Sequence, residues 1–168
     1  TGAGMMECKK ALTETAGDMD AAIDHLRKAG AAKADKKAGR VAAEGRIFMA
    51  ADGNTAVLAE INSETDFVAI KAEFIEFGQA VADAALTAGS EDISNLQLDG
   101  VSVDERRRDM VATIGENITA RRAAIVTAAG TLGSYIHSNN RIGVLVALEG
   151  GDEELAKGLA MHIVASNP

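Results

Sequence analysis

The 168-residue sequence predicts an α+β fold built from two related units, and three observations carry that expectation. Near Gly45 the spacing of apolar residues changes from a helical period to a strand-like one. Asp52-Gly53-Asn54 supplies a hairpin turn between two strand-like runs. Finally, TAVLAEINSETDFVAIKAEF (55–74) and IGVLVALEGGDEELAKGLAM (142–161) share one pattern: a strand, a polar break and an amphipathic helix. Two such units pack naturally as one antiparallel core.

The elements follow in order. Met5, Cys8 and Leu12 recur at helical spacing, and Gly17 breaks the run. Asp18 can cap a second helix whose stripe is Met19, Ala22, Ile23 and Leu26, ending at Gly30. Two helices this short cannot enclose a core, which implies a third helix upstream of Thr1. Residues 31–40, AAKADKKAGR, are small and basic. No aromatic residue is interleaved for base stacking, so a solvated, partly helical linker is preferred to a nucleic-acid patch. Strands are expected at Ile47–Ala50 and Thr55–Ile61. A helix then starts with Ser63-x-x-Asp66 as a capping box and carries Ile70, Phe74, Phe77, Val81 and Ala84 or Ala85 as its apolar stripe to about Thr87. After a polar stretch, Ser102-x-x-Glu105 caps a helix with Met110, Val111 and Ile114 apolar before Gly115. Ile118–Thr127, Leu132–His137 and Ile142–Leu148 read as strands, with Ser138 to Arg141 as a turn. Leu155, Leu159 and Ile163 mark a last helix.

Composition narrows the function classes. The formal charge of -8 disfavours wholesale binding to phosphate backbones or anionic lipid. No run approaches the ~20 apolar residues of a membrane span, and no signal-peptide pattern opens the sequence. Cys8 is the single cysteine, which excludes a disulfide framework within the chain and points to a reducing cytoplasm. The start at Thr1 and the end at Asn167-Pro168 read as cuts through a longer protein.

Catalytic patterns are missing. His25, His137 and His162 lie far apart without HExxH or CxxC company, and no phosphate loop, dinucleotide fingerprint or nucleophile elbow occurs. Glu153-Glu154 sits at a helix start, where it complements the helix dipole. Surfaces for partners remain. Asp66 can stabilise a first helical turn or face a partner. Phe67, three residues before Ile70, reads either as the rim of the core stripe or as an apolar anchor at an exposed helix end. Met5 and Met6 are adjacent, so one helix face cannot bury both. His137 reads as a solvated residue at a hairpin tip, and Arg106-Arg107-Arg108 as a solvated helix face.

These residues also match known signatures. Thr1 to Leu12 (TGAGMMECKKAL) resembles the amino-terminal signature of the elongation factor Ts family, and Glu60 to Ala69 (EINSETDFVA) resembles its second and more specific one. Gly133-Ser134-Tyr135-Ile136-His137 followed by Arg141 to Val146 makes a third match. The three stand in the family's order and span the whole chain. Two departures occur: Ile70-Lys71 stands where a basic residue and Asn or Asp are usual, and Ser138-Asn139-Asn140 replaces a more glycine-rich turn.

The resemblance implies a partial ubiquitin-associated-like helical domain over residues 1–30 and a linker over 31–44. It implies a core N-subdomain over 45–130 and a truncated C-subdomain over 131–168. It further implies a bacterial guanine-nucleotide exchange factor for elongation factor Tu in translation elongation, with no covalent chemistry and no cofactor of its own. The Mg²⁺ and GDP involved would be the partner's. Asp66 and Phe67, flanked by Thr65 and Val68, would dock on the GTPase, Met5, Met6 and Lys9 would hold a second edge, and His137 a more distant domain. Direct nucleic-acid and membrane contacts are not expected, and a homodimer would need a segment outside this chain. A metabolite-sensing α+β regulatory domain is the alternative from another class, and an enzyme is third. The enzyme would need His137 or His162 to meet carboxylates in a pocket.

Overall fold

The first two helices are held by their ends and by a third helix from far along the chain. In the computed structural model, which describes residues 2–166, α1 (Met5–Glu14) ends where Ala16 and Gly17 take positive φ. Thr1, which opens the first motif, and Asn167-Pro168 lie outside those residues. Asp18 caps α2 (Met19–Lys37) as expected, its Oδ1 accepting from the Ala21 N–H at 3.0 Å. The expected stop at Gly30 is overturned: α2 continues to Lys37, so residues 31–37 are its last two turns. Gly30 lies inside the helix, where α5 (Val103–Ile114) passes so close that a Cβ there would sit 3.2 Å from the Ala112 Cβ. The buried positions are Ala22, Gly30 and Ala34, while Met19 and Ile23 of the expected stripe are exposed. On α1 the buried residue is Ala11, and Met5, placed on the inner face by its spacing, is exposed. Small residues at four-residue spacing let the helices approach closely, which displaces the larger side chains to the flanks.

β1 (Glu44–Asp52) and β2 (Thr55–Ser63) form the expected hairpin, with Asp52 opposite Thr55 and Gly53 at φ 53 in the turn. β5 (Ile118–Thr127) pairs antiparallel with the far side of β2, giving the order β1-β2-β5. The register slips between Glu60 and Ile61, leaving Arg121 as an extra residue beside Arg122. Through that bulge both arginines reach one carboxylate, Arg121 at 3.0 Å and Arg122 at 2.7 Å from Glu60.

Partial burial pushes the Glu60 carboxyl up. Hydrogen bonds from Arg122 and Asn62, with the charges of Arg121 and Arg122, outweigh it and hold the group below the usual carboxylate range. A carboxylate with a depressed folded pKa adds stability that is full above its unfolded value of about 4.3 and is lost as pH falls through the folded one. The melting temperature is therefore expected to hold level from neutral pH to about 5 and to fall below about 4.3. Glu60→Gln should flatten that fall; an identical acid profile in a thermal-melt series would disprove the assignment.

The helix expected from residue 63 to 87 is two helices, α3 (Asp66–Ala69) and α4 (Ala72–Ala88). α4 covers one face of the three-stranded sheet. Phe74, Phe77, Val81, Ala82 and Ala85 bury against Phe48, Ala50, Val57, Ala59 and Ile61, with the Phe48 and Phe74 rings tilted at 6.2 Å. The polar stretch contains a two-residue-per-strand hairpin, β3 (Gln97–Leu98) with β4 (Val101–Ser102), turned through Asp99 and Gly100 at positive φ. Ser102 then caps α5 (Val103–Ile114), its hydroxyl accepting from the Glu105 N–H at 3.2 Å. α5 packs between α2 and β5 and places Val103, Met110 and Val111 in the core.

β6 (Thr131–Ile136) and β7 (Gly143–Leu148) form a separate antiparallel pair, followed by α6 (Glu153–Ser166). α6 meets the hairpin through Ala156 and Ala160, and a Cβ on Gly133 would collide with the Ala156 backbone. Leu155 and Leu159, expected as its inner stripe, are exposed for that reason: the close approach admits only small residues. The hairpin turn docks on the sheet face opposite α4, where the Ile47 N–H donates to the Asn140 carbonyl at 2.8 Å and Gly143 abuts Ile47 and Leu58. The molecule is thus α+β, with its main core between α4, α5 and the three-stranded sheet. No helix among the described residues is long and apolar enough to cross a membrane.

Candidate partner-binding surface

The exposed aromatic residue on α3 owes its position to a break in helical phase. In one continuous helix from residue 66, Phe67, Ile70, Phe74 and Phe77 would share an inward face. Lys71 instead takes extended dihedrals, φ -69 and ψ 141, as the N-cap of α4. That resets the phase, so α4 buries Phe74 and Phe77 while α3 buries Val68 and Ala69. Phe67 and Ile70 are turned out, 74% and 67% exposed. Placing Ile70 in the core stripe is therefore corrected, and so is the core-rim reading of Phe67. The pair forms an i, i+3 apolar patch on a single helical turn.

Around it the expected contact residues divide. Asp66 is exposed in the first turn of α3. Val68, expected at the contact, is 3% exposed, its side chain turned into the core, so it supports α3 from within. Thr65 is half-buried, and its hydroxyl donates to Glu116 Oε1 at 2.7 Å while its N–H donates to Oε2 at 3.0 Å. The expected capping box at Ser63 does not form. Ser63 is the buried last residue of β2, its hydroxyl donating to the Thr65 carbonyl at 2.8 Å, and Thr65 takes the N-cap place with no side-chain cap bond.

Met5 and Met6 both stand out from α1, 86% and 73% exposed, with Lys9 exposed one turn on. Two adjacent large apolar residues left in water define a second patch, on a different element from the first. His137 is not at a hairpin tip. It closes the base of the turn, its N–H donating to the Ile142 carbonyl at 2.9 Å, and is half-buried beside Tyr135, whose hydroxyl lies 3.5 Å from Nδ1. The expected residues thus occupy three places: α1, α3 and the β6–β7 turn.

Sequence reasoning missed the groups behind α3. Glu64 accepts from the Asn117 N–H at 2.6 Å and pairs with Arg40 at 3.4 Å, while the Asn117 amide donates to the Arg40 carbonyl at 2.7 Å. One signal was present: Glu116-Asn117 puts two polar residues between a helix-ending glycine and an apolar strand. As for reactive chemistry, His25 lies 3.1 Å from Glu14, His137 faces Tyr135, and His162 lies 3.4 Å from the Ser166 hydroxyl. Among the described residues, neither His137 nor His162 meets a carboxylate, and no group of three or more metal-ligating side chains forms.

Comparison with known proteins agrees with the three sequence signatures. A family model described as Elongation factor TS matches residues 64–168. The chain is 56% identical over 172 residues to Elongation factor Ts of Xylella fastidiosa (strain 9a5c). It is also 56% identical over 172 residues to Elongation factor Ts of Xanthomonas oryzae pv. oryzae (strain PXO99A) and of Xanthomonas campestris pv. campestris (strain B100). Each alignment covers 100% of this chain and 59% of the relative, so the chain spans a little over half the length of these proteins.

Proposed function

The chain belongs to the elongation factor Ts family, and on that premise we propose that it acts, within its whole protein, as a guanine-nucleotide exchange factor that releases GDP from elongation factor Tu in the bacterial cytoplasm. The observation that carries this reading is the outward Phe67, 74% exposed on a turn whose neighbours Val68 and Ala69 are buried. A large apolar side chain held in water by a rigid support is how an interface anchor is built.

In this proposal Asp66 and Phe67 dock against the G domain, and the Phe67 ring wedges between two of its helices. Ile70, one turn on, widens the apolar contact. Displacing those helices disturbs the Mg²⁺ site of the GTPase, which depends on closely placed oxygen ligands. The charge on the GDP phosphates is then poorly compensated and the nucleotide leaves. Met5, Met6 and Lys9 hold a second edge of the G domain, and the β6–β7 turn at His137 reaches a more distant domain. No acid, base, metal or cofactor of this chain is required, since the work is done by differential binding. Coupling of this kind is reciprocal: a factor that weakens GDP is weakened by GDP to the same degree.

The test is release of a fluorescent GDP from purified elongation factor Tu, with capture of the GTPase on the immobilised whole protein measured beside it. Acceleration of release, and loss of capture on adding excess GDP, are expected. Unchanged release would overturn the proposal.

A further inference from the structure

We infer that Glu116, in the turn between α5 and β5, is a positioning residue that sets the pose of Phe67, and that this turn also holds the Met5–Met6 helices to it. The functional weight of that pose rests on the exchange-factor reading above; the positioning itself does not.

Phe67 has little packing of its own, so its direction comes from the backbone at 65–69. From inside, that backbone is fixed by the burial of Val68 and Ala69. At its leading end it is fixed by Glu116, whose two carboxylate oxygens take the N–H and the hydroxyl of Thr65 at 3.0 and 2.7 Å. A carboxylate receiving two donors from one residue restrains both position and rotation, which a single bond does not. The exchange is mutual: Glu64, one residue before Thr65, takes the N–H of Asn117, one residue after Glu116, at 2.6 Å. Two crossed carboxylate clasps therefore join segments 51 residues apart along the chain.

The same turn reaches the other patch. Asn117 is 2% exposed, and its amide donates to the carbonyls of Arg40 at 2.7 Å and Ala38 at 3.4 Å, just beyond the end of α2. Lys37, the last residue of α2, donates to the Gly115 carbonyl. α2 in turn carries α1, through the Glu7–Lys33 pair and the packing at Ala11. Residues 115–117 thus bracket two apolar patches that sit on separate elements, and a partner that must meet both finds them already placed.

The test uses the whole protein with Glu116→Gln, which keeps the shape but puts an amide NH₂ where an acceptor was, and with Thr65→Val, which removes the hydroxyl from the other side. Thr65→Ser keeps both donors and serves as the conservative variant. Amide hydrogen exchange of the 64–69 segment should quicken on the order of tenfold in the Gln and Val variants, the scale of a lost charged hydrogen bond. The Ser variant should match the parent. Exchange unchanged in both Gln and Val variants would overturn the inference whatever the protein does to elongation factor Tu.

The second arm measures GDP release. Glu116→Gln should slow it by about threefold to tenfold in the parent and by less than about twofold when Phe67 is already alanine, because residues that act through one another are not additive. An equal slowing in both backgrounds would mean that Glu116 acts elsewhere. If Phe67→Ala by itself leaves release untouched, Phe67 drops out of the mechanism and its pose carries no functional weight, and the hydrogen-exchange arm still decides the positioning.

Discussion

Replacing Phe67 with alanine is expected to slow GDP release from elongation factor Tu by about 30-fold or more while the fold stays intact. The two halves of that expectation have separate origins. A buried aromatic anchor at the centre of an interface commonly contributes ~2 kcal/mol or more on truncation, and each 1.4 kcal/mol is tenfold. In the free protein the ring is 74% exposed, so removing it forfeits little internal packing. Surface substitutions of this kind shift stability by about 0.5 kcal/mol at most, which for a chain of this size moves the melting temperature by about 1–2 °C. The loss should fall on the release rate at saturating factor if the ring acts as a wedge, and on the half-saturating concentration if it only adds affinity. A variant as active as the parent would remove Phe67 from the mechanism. Asp66→Ala on the same turn should show a smaller loss, because an exposed carboxylate contributes mainly to orientation and encounter.

Gly78→Ala is expected to destabilise the fold by about 2 kcal/mol, the opposite sign from what helix propensity alone predicts. In an open helix, alanine is better than glycine by about 1 kcal/mol. Gly78 is buried in α4, however, and a Cβ there would lie closer than 3.0 Å to three ring atoms of Phe48. That ring is itself buried and packed on Phe74, so it cannot swing aside without disturbing the layer between α4 and the sheet. A collision with three ring atoms puts the overpacking cost at the upper end of about 1–3 kcal/mol, which leaves about 2 kcal/mol after the propensity gain is subtracted. The melting temperature should fall by about 4–8 °C. Gly158→Ala on α6 is the internal control, since nothing lies within 4 Å of its added Cβ; there a gain of about 0.5–1 kcal/mol is expected. If both substitutions stabilise, the close contact at Phe48 is wrong.

Much of the fold was legible because its signals are local. A hairpin turn at residues 52–54, a cap at Asp18, a cap at Ser102 and the strands at 118–127 and 143–148 each need only a few neighbouring residues to be specified. The α+β class followed from those parts. Where the pattern misled, the cause was distant. Gly30 looked like a helix end but is a point of close approach to α5, and Leu155 and Leu159 looked like an inner stripe but flank an Ala–Gly contact with β6. Apolar periodicity identifies a face; it does not say how near the neighbouring element comes.

The same division runs through the candidate site. Residues 65–67 stand out from the amino-acid pattern alone, through a segment that the second unit lacks and a resemblance at Glu60 to Ala69 to a family signature. That pattern left Phe67 between core and surface, because the period from Phe67 through Ile70 to Phe74 is satisfied by one unbroken helix. Packing across the fold settles which it is. The extended backbone at Lys71 turns Phe67 and Ile70 outward, and a carboxylate 51 residues away fixes the turn on which they stand. A dihedral angle at one residue and a hydrogen bond across the fold leave no period in a sequence, since both arise only once the sheet and its covering helices have packed.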